Sequence, residues 1–399
     1  MIRRLLVLAS TFPARADDGT PAFVRDLAIA ESTGFDTVVV VPAVPGAPRT
    51  EQIGNVRVVR FRYFFRRWED LADGAIIENL RSRPSRLLQV VPFFVAEHLA
   101  ARRWVRRHRP DVLHVHWIIP QGVAALPFLR RTPAVVTTLG GDLYALNGKL
   151  ASMAKRAVVG RAAALTTMNQ DMKARLEALG AAPHDVQVMP MGADLTAIRA
   201  GAAGVDKIAG RLLFVGRLVE KKGLAVLLQA LRLLPADVPW SLTVVGDGPL
   251  RTALEADSRA QPVHFIGQLS RTELARQYGL SEVVVVPSVT AASGDQDGLP
   301  VALLEAMGAG CAVVASDLAG INTVVRPDRS GVLVPPGDAA ALADALTALL
   351  SDPALRDRLG AGASEIADGL SVQVVGERYR ALLDEVVDRA AAGDGKSGR

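Results

Sequence analysis

Short apolar segments that read as β-strands alternate with helical segments through the whole chain, and the pattern starts again near Arg211. Because strand, helix and strand in succession form a parallel unit, the alternation predicts parallel sheets covered on both faces. Strands are predicted at residues 4–9, 37–41, 56–61, 112–116, 134–138, 164–168, 186–189, 212–215, 242–245, 263–265, 283–286 and 312–315. The predicted fold class is therefore α/β, with two Rossmann-like, doubly wound domains facing each other across a cleft, a usual place for a ligand.

The chain has 399 residues, enough for two domains of ordinary size. We predict a first domain over residues 1–200 and a second over 201–370. A terminal helix is expected over 371–391 and a disordered tail over 392–399. The linker is expected within 195–210, because Gly201 and Gly204 lie there among small residues.

Composition limits the class and the compartment of the protein. The mean hydropathy is +0.23, yet no apolar run approaches the ~20 residues of a membrane-spanning helix. The apolar stretch near the amino terminus is shorter than the core of a signal peptide and reads as the first strand. The one cysteine, Cys311, excludes an internal disulfide, and its apolar surroundings are typical of a core residue. We predict a soluble, cytoplasmic protein.

The most informative segment runs from residue 283 to residue 307 and combines a strand, a Gly- and Asp-rich loop and a helix. The helix is predicted to start at Leu299 and Pro300, since proline suits a first helical turn. A helix start presents free N–H groups and partial positive charge, so it suits a phosphate. Asp297 lies just before this start and Glu305 inside the helix, where both can accept bonds from hydroxyl groups. The combination favours a nucleotide-sugar over a bare nucleotide.

A second segment supplies positive charge. The buried strand at 212–215 leads into a loop that carries Arg217 and Lys222, where ligands of open α/β sheets bind. As a glycosidic bond breaks, charge grows on the departing phosphate, and fixed cations stabilise that charge. Lys221, between these two residues, is expected to face solvent.

Together the two segments resemble the donor site of the family 4 retaining glycosyltransferases, the group 1 glycosyl transferases of GT-B fold. The resemblance implies that Arg217 and Lys222 hold the nucleotide diphosphate and that Glu305 binds the ribose. It also implies that Asp297 contacts the donor sugar, although Asp297 replaces the more usual Glu and is shorter by one methylene. The backbone N–H groups of Gly298 and Leu299 are expected to complete the phosphate cradle.

The same resemblance implies a division of labour between the domains. The amino-terminal domain is expected to bind the acceptor and the carboxy-terminal domain to bind the donor. The terminal helix is expected to cross back to the first domain.

Four further residues match positions near the ligands of that family. His116 matches the position nearest the reactive carbon of the donor; a packed structural histidine, or a metal pair with His114, is the alternative. Asp142 is expected to line the cleft, with a helix cap as the alternative. Gly246 is expected near the nucleotide base unless it only forms a turn. Gly19 stands in a loop where relatives carry two glycines that let the backbone approach the ligands.

No metal and no cofactor are expected. Residues 295–297 match the Asp-x-Asp metal motif of the other large glycosyltransferase fold, but they occur late, after the strand pattern has restarted. Arg217 and Lys222 already provide the charge that a metal ion would supply.

The segment 57–109 combines many arginines with aromatic residues. Basic residues beside exposed aromatics suit an anionic membrane surface, and acceptors in the resembling family can be lipid-linked. A solvated helix face over ordinary core aromatics is an equal alternative. Nucleic acid is not expected, because no recognition motif accompanies the charge.

The sequence therefore predicts a retaining, metal-independent hexosyltransferase that moves a sugar from a nucleoside diphosphate to a hydroxyl acceptor, in the cytoplasm or at the inner face of the membrane. Retention is implied by the resemblance alone. A nucleotide-sugar epimerase of the same fold and a non-catalytic nucleotide-sugar-binding protein are the alternatives.

Overall fold

The computed structural model describes residues 2–14, 22–74 and 76–394. The chain divides into two compact units, Met1–Met189 with Val375–Arg399, and Pro190–Val374. The boundary expected at residue 200 lies instead eleven residues earlier, after Met189. Gly201, which suggested a linker, belongs to a helix of the second unit, and a side chain at that position would meet the Ala275 Cβ at 2.5 Å.

The first unit is built on one sheet. Its strands are β1 (Arg3–Leu8), β2 (Phe35–Pro42), β3 (Thr50–Ile53), β4 (Val56–Phe61), β5 (Val112–His116), β6 (Ala134–Thr137), β7 (Ala164–Thr167) and β8 (Val186–Val188). Within the described residues they take the order β3-β4-β2-β1-β5-β6-β7-β8. All neighbours are parallel except β3 and β4, which are antiparallel.

The helices of this unit connect the strands as crossovers. They are α1 (Phe23–Glu31), α2 (Ile76–Ser82), α3 (Leu87–His108), α4 (Val123–Ala125), α5 (Gly141–Tyr144), α6 (Lys149–Val159) and α7 (Gln170–Ala178). Short turns of other helix types add Pro84–Arg86, Ile118–Gly122 and Pro183–Asp185.

The second unit repeats the plan with a smaller sheet. Its strands are β9 (Arg211–Val215), β10 (Ser241–Val245), β11 (Val263–Gly267), β12 (Val283–Val286), β13 (Ala312–Ser316) and β14 (Val332–Val334). They are parallel and ordered β11-β10-β9-β12-β13-β14. Its helices are α8 (Leu195–Ala202), α9 (Leu224–Leu231), α10 (Arg251–Asp257), α11 (Arg271–Leu280), α12 (Val301–Gly308), α13 (Ile321–Val324), α14 (Ala339–Ser351) and α15 (Pro353–Asp368), with a short 3₁₀ turn at Glu220–Lys222.

Alternate residues of the β9 strand enter two apolar clusters. Leu213 belongs to one cluster, and Leu212 and Phe214 belong to the other. Because successive side chains of a strand point to opposite faces, this division places a core on each face of the sheet. The nearly continuous runs of Val and Leu in the strands are the pattern expected of a parallel sheet covered on both faces.

The last helix, α16 (Val372–Asp394), packs on the first unit. The Tyr379 hydroxyl donates to the Met189 carbonyl oxygen at 3.1 Å, and Arg3 pairs with Asp384. A side chain at Gly376 would meet the Ala30 Cβ at 2.4 Å, so the glycine permits close contact between α16 and α1.

The predicted α/β fold is confirmed, and all the predicted strands are present. The strands β3 and β14 were not predicted; three of the four residues of β3 are polar, so it lacks the apolar pattern of the other strands. In the described part of the chain, no helix is long and apolar enough to cross a membrane.

Candidate functional site

The strand order of the second sheet reverses between β9 and β12, so the loops after these two strands lie side by side. Ligands of open α/β sheets bind at such a reversal, beyond the carboxyl ends of the strands. The two loops are bonded to each other: the Val289 N–H donates to the Lys221 carbonyl oxygen, and the Ala292 N–H donates to Glu220 Oε1, each at 2.9 Å. The two sequence motifs therefore form one site.

Glycines permit the close approach of these loops. Gly223 has φ +68°, and a Cβ there would lie 1.7 Å from the Pro287 carbonyl oxygen. Gly246, at the end of β10, has φ +130°, and a Cβ would lie 2.0 Å from the Gly216 carbonyl oxygen. Both positions thus need glycine for steric reasons. Contact of Gly246 with a nucleotide base remains a prediction.

Two lysines and two aspartates connect the loops electrostatically. Lys222 Nζ lies 2.8 Å from Asp297 Oδ2, and Ser288 Oγ donates to the same oxygen at 3.0 Å. Lys221 Nζ lies 3.1 Å from Asp295 Oδ2 and 3.8 Å from Asp297 Oδ1. The expectation that Lys221 faces solvent is wrong, because its side chain is only 20% exposed and is paired.

Asp297 is buried and remains the charged partner of these lysines. Burial alone would raise the pKa of its carboxyl group, but the charges of Lys222 and Lys221 and the bonds from Lys222 and Ser288 hold the pKa below its usual value. The site therefore holds an ionised acid between two cations.

Arg217 is half-buried in the same loop, five residues before Lys222. The residue after it fixes the loop: the Leu218 N–H donates to the Asp247 carbonyl oxygen at 2.9 Å, and the Leu250 N–H donates to the Leu218 carbonyl oxygen at 3.1 Å. Backbone bonds to the loop after β10 thus position Arg217 at the carboxyl end of the sheet.

The helix at the site starts later than the sequence predicted. Pro300 has ψ 126° and is the N-cap, and α12 begins at Val301. Gly298 and Leu299 therefore precede the first turn, and the N–H groups of Val301 and Ala302 are the ones at the helix start. Leu299 also packs against the core, so a role of Gly298 and Leu299 in a phosphate cradle remains a prediction.

Glu305 is the fifth residue of α12 and is half-buried. The Tyr278 hydroxyl, from α11, donates to Glu305 Oε2 at 2.9 Å. Burial, together with the charge of Glu305, raises the pKa of Tyr278 well above its usual value, so the phenol stays protonated and keeps donating. Tyr278 was missed by the sequence reading, because it occupies an ordinary core position of its helix.

The first sheet reverses between β1 and β5, and His116 is the last residue of β5. His116 is fully buried, and its ring centroid lies 4.2 Å from that of His114. Neither ring nitrogen of His116 has a hydrogen-bond partner among the described residues. Burial, together with the neighbouring His114, lowers its pKa well below the usual value, so the ring is neutral.

His114 belongs to a buried network. Its Nδ1 lies 2.7 Å from Glu31 Oε1, and its Nε2 lies 2.8 Å from Thr137 Oγ1. Burial lowers the pKa of His114 to about 3 and raises that of Glu31 well above its usual value. Among the residues that the structure describes, no group of three or more potential metal ligands occurs.

Asp142 is buried, and both of its carboxylate oxygens are already bonded within the first unit. Oδ2 accepts from the Ile118 N–H at 2.7 Å, and Oδ1 accepts from the Thr138 hydroxyl at 2.8 Å and from the Leu139 N–H at 3.2 Å. The side chain thus joins the segments that follow β5 and β6. Gly19 lies outside the described residues.

Comparison with known proteins matches two family models to the chain. A glycosyl transferase 4-like domain covers residues 20–192, and a domain described as glycosyl transferases group 1 covers residues 209–352.

The relatives include carbohydrate enzymes of bacteria. The chain is 32% identical over 310 residues to the phosphatidyl-myo-inositol mannosyltransferase of Mycobacterium leprae, covering 74% of this chain and 78% of the relative. It is 31% identical over 219 residues to the putative colanic acid biosynthesis glycosyltransferase WcaL of Salmonella typhimurium. That alignment covers 53% of this chain and only 54% of the relative, so the match spans about half the length of WcaL.

Solved structures of the same fold share little sequence with the chain. Sucrose-phosphate synthase from Thermosynechococcus elongatus matches with a TM-score of 0.76 at 21% identity, covering 97% of this chain and 100% of that one. Anabaena HepE in complex with UDP and glucose matches with a TM-score of 0.67 at 17% identity, covering 96% and 100%.

Proposed function

Because the chain belongs to the group 1 glycosyl transferases, which form glycosyltransferase family 4 and have the GT-B fold, we propose that it moves a hexosyl unit from a nucleoside diphosphate sugar to a hydroxyl acceptor. The observation that carries the proposal is the pairing of Lys222 with Asp297 across the two loops at the sheet reversal. It brings a cation and the acid proposed to bind the donor sugar to the point where open α/β sheets bind ligands.

In the proposed reaction, Arg217 and Lys222 bind the diphosphate. Negative charge grows on the phosphate oxygen as the bond to the sugar breaks, and cations already held in place stabilise it without reorganisation. Asp297 now neutralises Lys222, so the bound diphosphate would share that cation. The departing phosphate can itself accept the proton of the acceptor hydroxyl, so no separate general base is required.

Asp297 and Glu305 would bind hydroxyl groups of the donor. Asp297 is held by Lys222 and Ser288, and its lowered pKa keeps it an acceptor at neutral pH. Glu305 would accept bonds from the ribose with one carboxylate oxygen already fixed by Tyr278. His116, a neutral ring, is proposed to contact the donor sugar near its reactive carbon.

We extend the proposal to a retaining reaction without metal or cofactor. Retention is supported by the family resemblance. Metal independence is supported by the charge of Arg217 and Lys222, which can serve the diphosphate in place of a divalent ion.

The names of the relatives support the substrate classes. Anabaena HepE was solved with UDP and glucose, which supports a nucleotide-sugar donor here. The phosphatidyl-myo-inositol mannosyltransferase acts, by its name, on a lipid, which supports a lipid-linked acceptor. Assays with UDP- and GDP-hexoses distinguish uridine from guanosine donors.

The proposal is tested by offering the purified chain UDP- and GDP-hexoses with lipid and soluble hydroxyl acceptors. We expect nucleoside diphosphate release matched by a new glycoside with the anomeric configuration of the donor, in the presence of a chelator. Mass spectrometry and NMR detect these products. An isomerised sugar without glycoside would identify an epimerase instead, and donor binding without turnover would identify a binding protein.

A further inference from the structure

The helix α3 carries its apolar residues on two opposite faces. One face packs on the first sheet and buries Phe93, Ala101 and Trp104. The other, the α3 apolar face, consists of large aliphatic side chains that are 54% to 73% exposed: Leu87, Leu88, Val91, Val95 and Leu99. Contiguous exposed apolar surface of this kind marks an interaction site more often than it marks ordinary protein surface.

The helical repeat aligns these residues. At 3.6 residues and about 5.4 Å per turn, Leu88, Val95 and Leu99 stack along one side over about 17 Å. The same line continues with Arg102 and Arg106, which are exposed. The outer side of α3 is therefore apolar in its first turns and basic in its last turns.

Two exposed aromatic residues lie in the loop that follows β4. Phe65 and Trp68 are 70% and 60% exposed, and their rings contact each other with centroids 6.2 Å apart. Between them lie Arg66 and Arg67, both exposed. This loop starts at the carboxyl end of β4, and His116 is the last residue of β5. Because the two strands run in the same direction, the aromatic pair follows the same carboxyl edge of the first sheet at which His116 lies.

Only part of the basic and aromatic segment predicted from the sequence faces solvent. Phe61, Tyr63, Phe93 and Trp104 are buried core residues. Arg86 is occupied by Asp70 at 2.8 Å. The exposed apolar surface is mostly aliphatic, and the sequence reading had not singled it out.

A second exposed apolar group lies at the same edge. Leu146, Leu150 and Met153 lie at and just before the start of α6 and are 44%, 83% and 66% exposed. The helix α4 contacts both α3 and α6, so the two apolar groups belong to one helical layer.

We propose that the α3 apolar face, with Phe65 and Trp68, docks the chain on an anionic lipid bilayer. Aliphatic and aromatic side chains enter the region below the headgroups, and exposed arginines beside them bind the phosphates. Charge favours lipid over a second copy of the chain: the same face of a second copy would offer the exposed arginines only a basic surface, whereas an anionic surface complements them.

This docking goes beyond the transfer reaction and does not depend on it. It would hold the carboxyl edge of the first sheet near the bilayer, where a lipid-linked hydroxyl group could be reached. Vesicle binding requires no sugar donor, so failure of the docking and failure of the proposed reaction are separate results.

The test is flotation of the full chain with vesicles of phosphatidylcholine alone and of phosphatidylcholine mixed with phosphatidylglycerol. We expect the protein to float with the mixed vesicles and to be released by high salt. The triple variant Leu88→Gln, Val91→Gln, Val95→Gln should partition about tenfold or more weakly, because it loses buried apolar area. All three side chains are exposed, so the fold should persist, as circular dichroism melting will verify.

The matched control replaces exposed apolar residues of the second unit, Ile208→Gln with Leu233→Gln, and should float like the wild type. The proposal is overturned if the wild type does not float with either vesicle, or if the α3 variant floats as well as the wild type. It is also overturned if light scattering shows that the wild type and the control variant are dimers and the α3 variant is a monomer, because the face would then join two copies of the chain.

Discussion

Two groups of ionisable side chains, one in each unit, differ in how burial affects their charge. In the second unit, Lys222 and Asp297 remain 20% and 10% exposed and pair across two loops at the end of the sheet. In the first unit, Glu31, Glu97, His114 and His116 are at most 1% exposed, and burial shifts their pKa values toward the neutral forms. A bound ligand can replace one partner of the Lys222–Asp297 ion pair at the end of the sheet, whereas the fully buried pair of Glu31 and His114 mainly contributes to stability.

Two of these buried groups, Glu31 and His114, begin a connected path of hydrogen bonds. From Glu31 and His114 the bonds continue through Thr137 and Thr166, whose hydroxyl oxygens lie 2.6 Å apart, to the Tyr379 hydroxyl at 3.2 Å. The path connects α1, three strands and α16. We therefore expect substitutions here to change stability, and substitutions at the second-unit loops to change ligand binding.

The largest effect is expected from Arg217→Ala. Removing a cation that stabilises the departing phosphate should lower kcat/KM for nucleoside diphosphate release by about 100- to 1000-fold. The unfolding free energy should stay near that of the wild type, because the side chain is half-buried at the end of the sheet. Arg259→Ala, an exposed arginine of the same unit, is the control and should retain full activity.

Equal turnover by Arg217→Ala and the wild type would show that Arg217 does not stabilise the departing phosphate. The loop after β9 would then have no demonstrated role in the reaction, and the contrast between the units would concern stability alone.

Glu97→Gln should change the pH dependence of stability. Burial raises the pKa of Glu97 to about 8, against a smaller lowering by the neighbouring Gln121. The unfolded chain loses this proton near pH 4.3, so wild-type stability should fall as pH rises from about 4.5 to 8. The glutamine variant should lack this contribution and be more stable at pH 8.

Urea denaturation at pH 5 and pH 8 measures this difference, and other titrating groups cancel in the comparison. An unchanged pH slope in the variant would show that Glu97 is ionised in the folded protein. Nucleoside diphosphate affinity should be the same in both proteins.

Tyr379→Phe should lower the unfolding free energy by about 1–3 kcal/mol, because the Met189 carbonyl oxygen and the Thr166 hydroxyl lose a buried partner. Denaturant unfolding measures the loss. Calorimetry should show unchanged affinity for nucleoside diphosphate. A large loss of affinity would contradict the claim that this path affects stability and not ligand binding.

The smallest effect is expected from Tyr278→Phe, which removes the hydroxyl that fixes Glu305. One lost hydrogen bond is worth about 0.5–1.5 kcal/mol, so the affinity for nucleoside diphosphate should fall by about two- to tenfold. The free phosphate affinity should not change, since Glu305 is proposed to bind the ribose. An equal loss for both ligands would assign Tyr278 to the phosphate cradle instead.

The fold and the second-unit site were largely readable from the sequence, for local reasons. Strand and helix periods are visible in short windows. Arg217, Lys222 and Asp297 lie in loops next to recognisable elements, and Glu305 lies within the helix that follows one of these loops. The extended backbone of Pro300 was missed, because proline suits both the N-cap and the first turn.

What the sequence did not reveal depends on distant contacts. The partners Tyr278 and Ser288 have no local signal, and the pairing of Lys221 depends on a loop more than seventy residues away. The α3 apolar face was missed for a different reason: a helical period predicts an apolar face but does not say whether protein, water or lipid lies against it.

The most direct test of the central claim is calorimetric titration of UDP and GDP into the wild type and into the double variant Arg217→Ala, Lys222→Ala. The account predicts that one of these diphosphates binds the wild type and that the double variant gives no binding heat. Absence of binding of either diphosphate to the wild type, or equal affinity in the double variant, would contradict it.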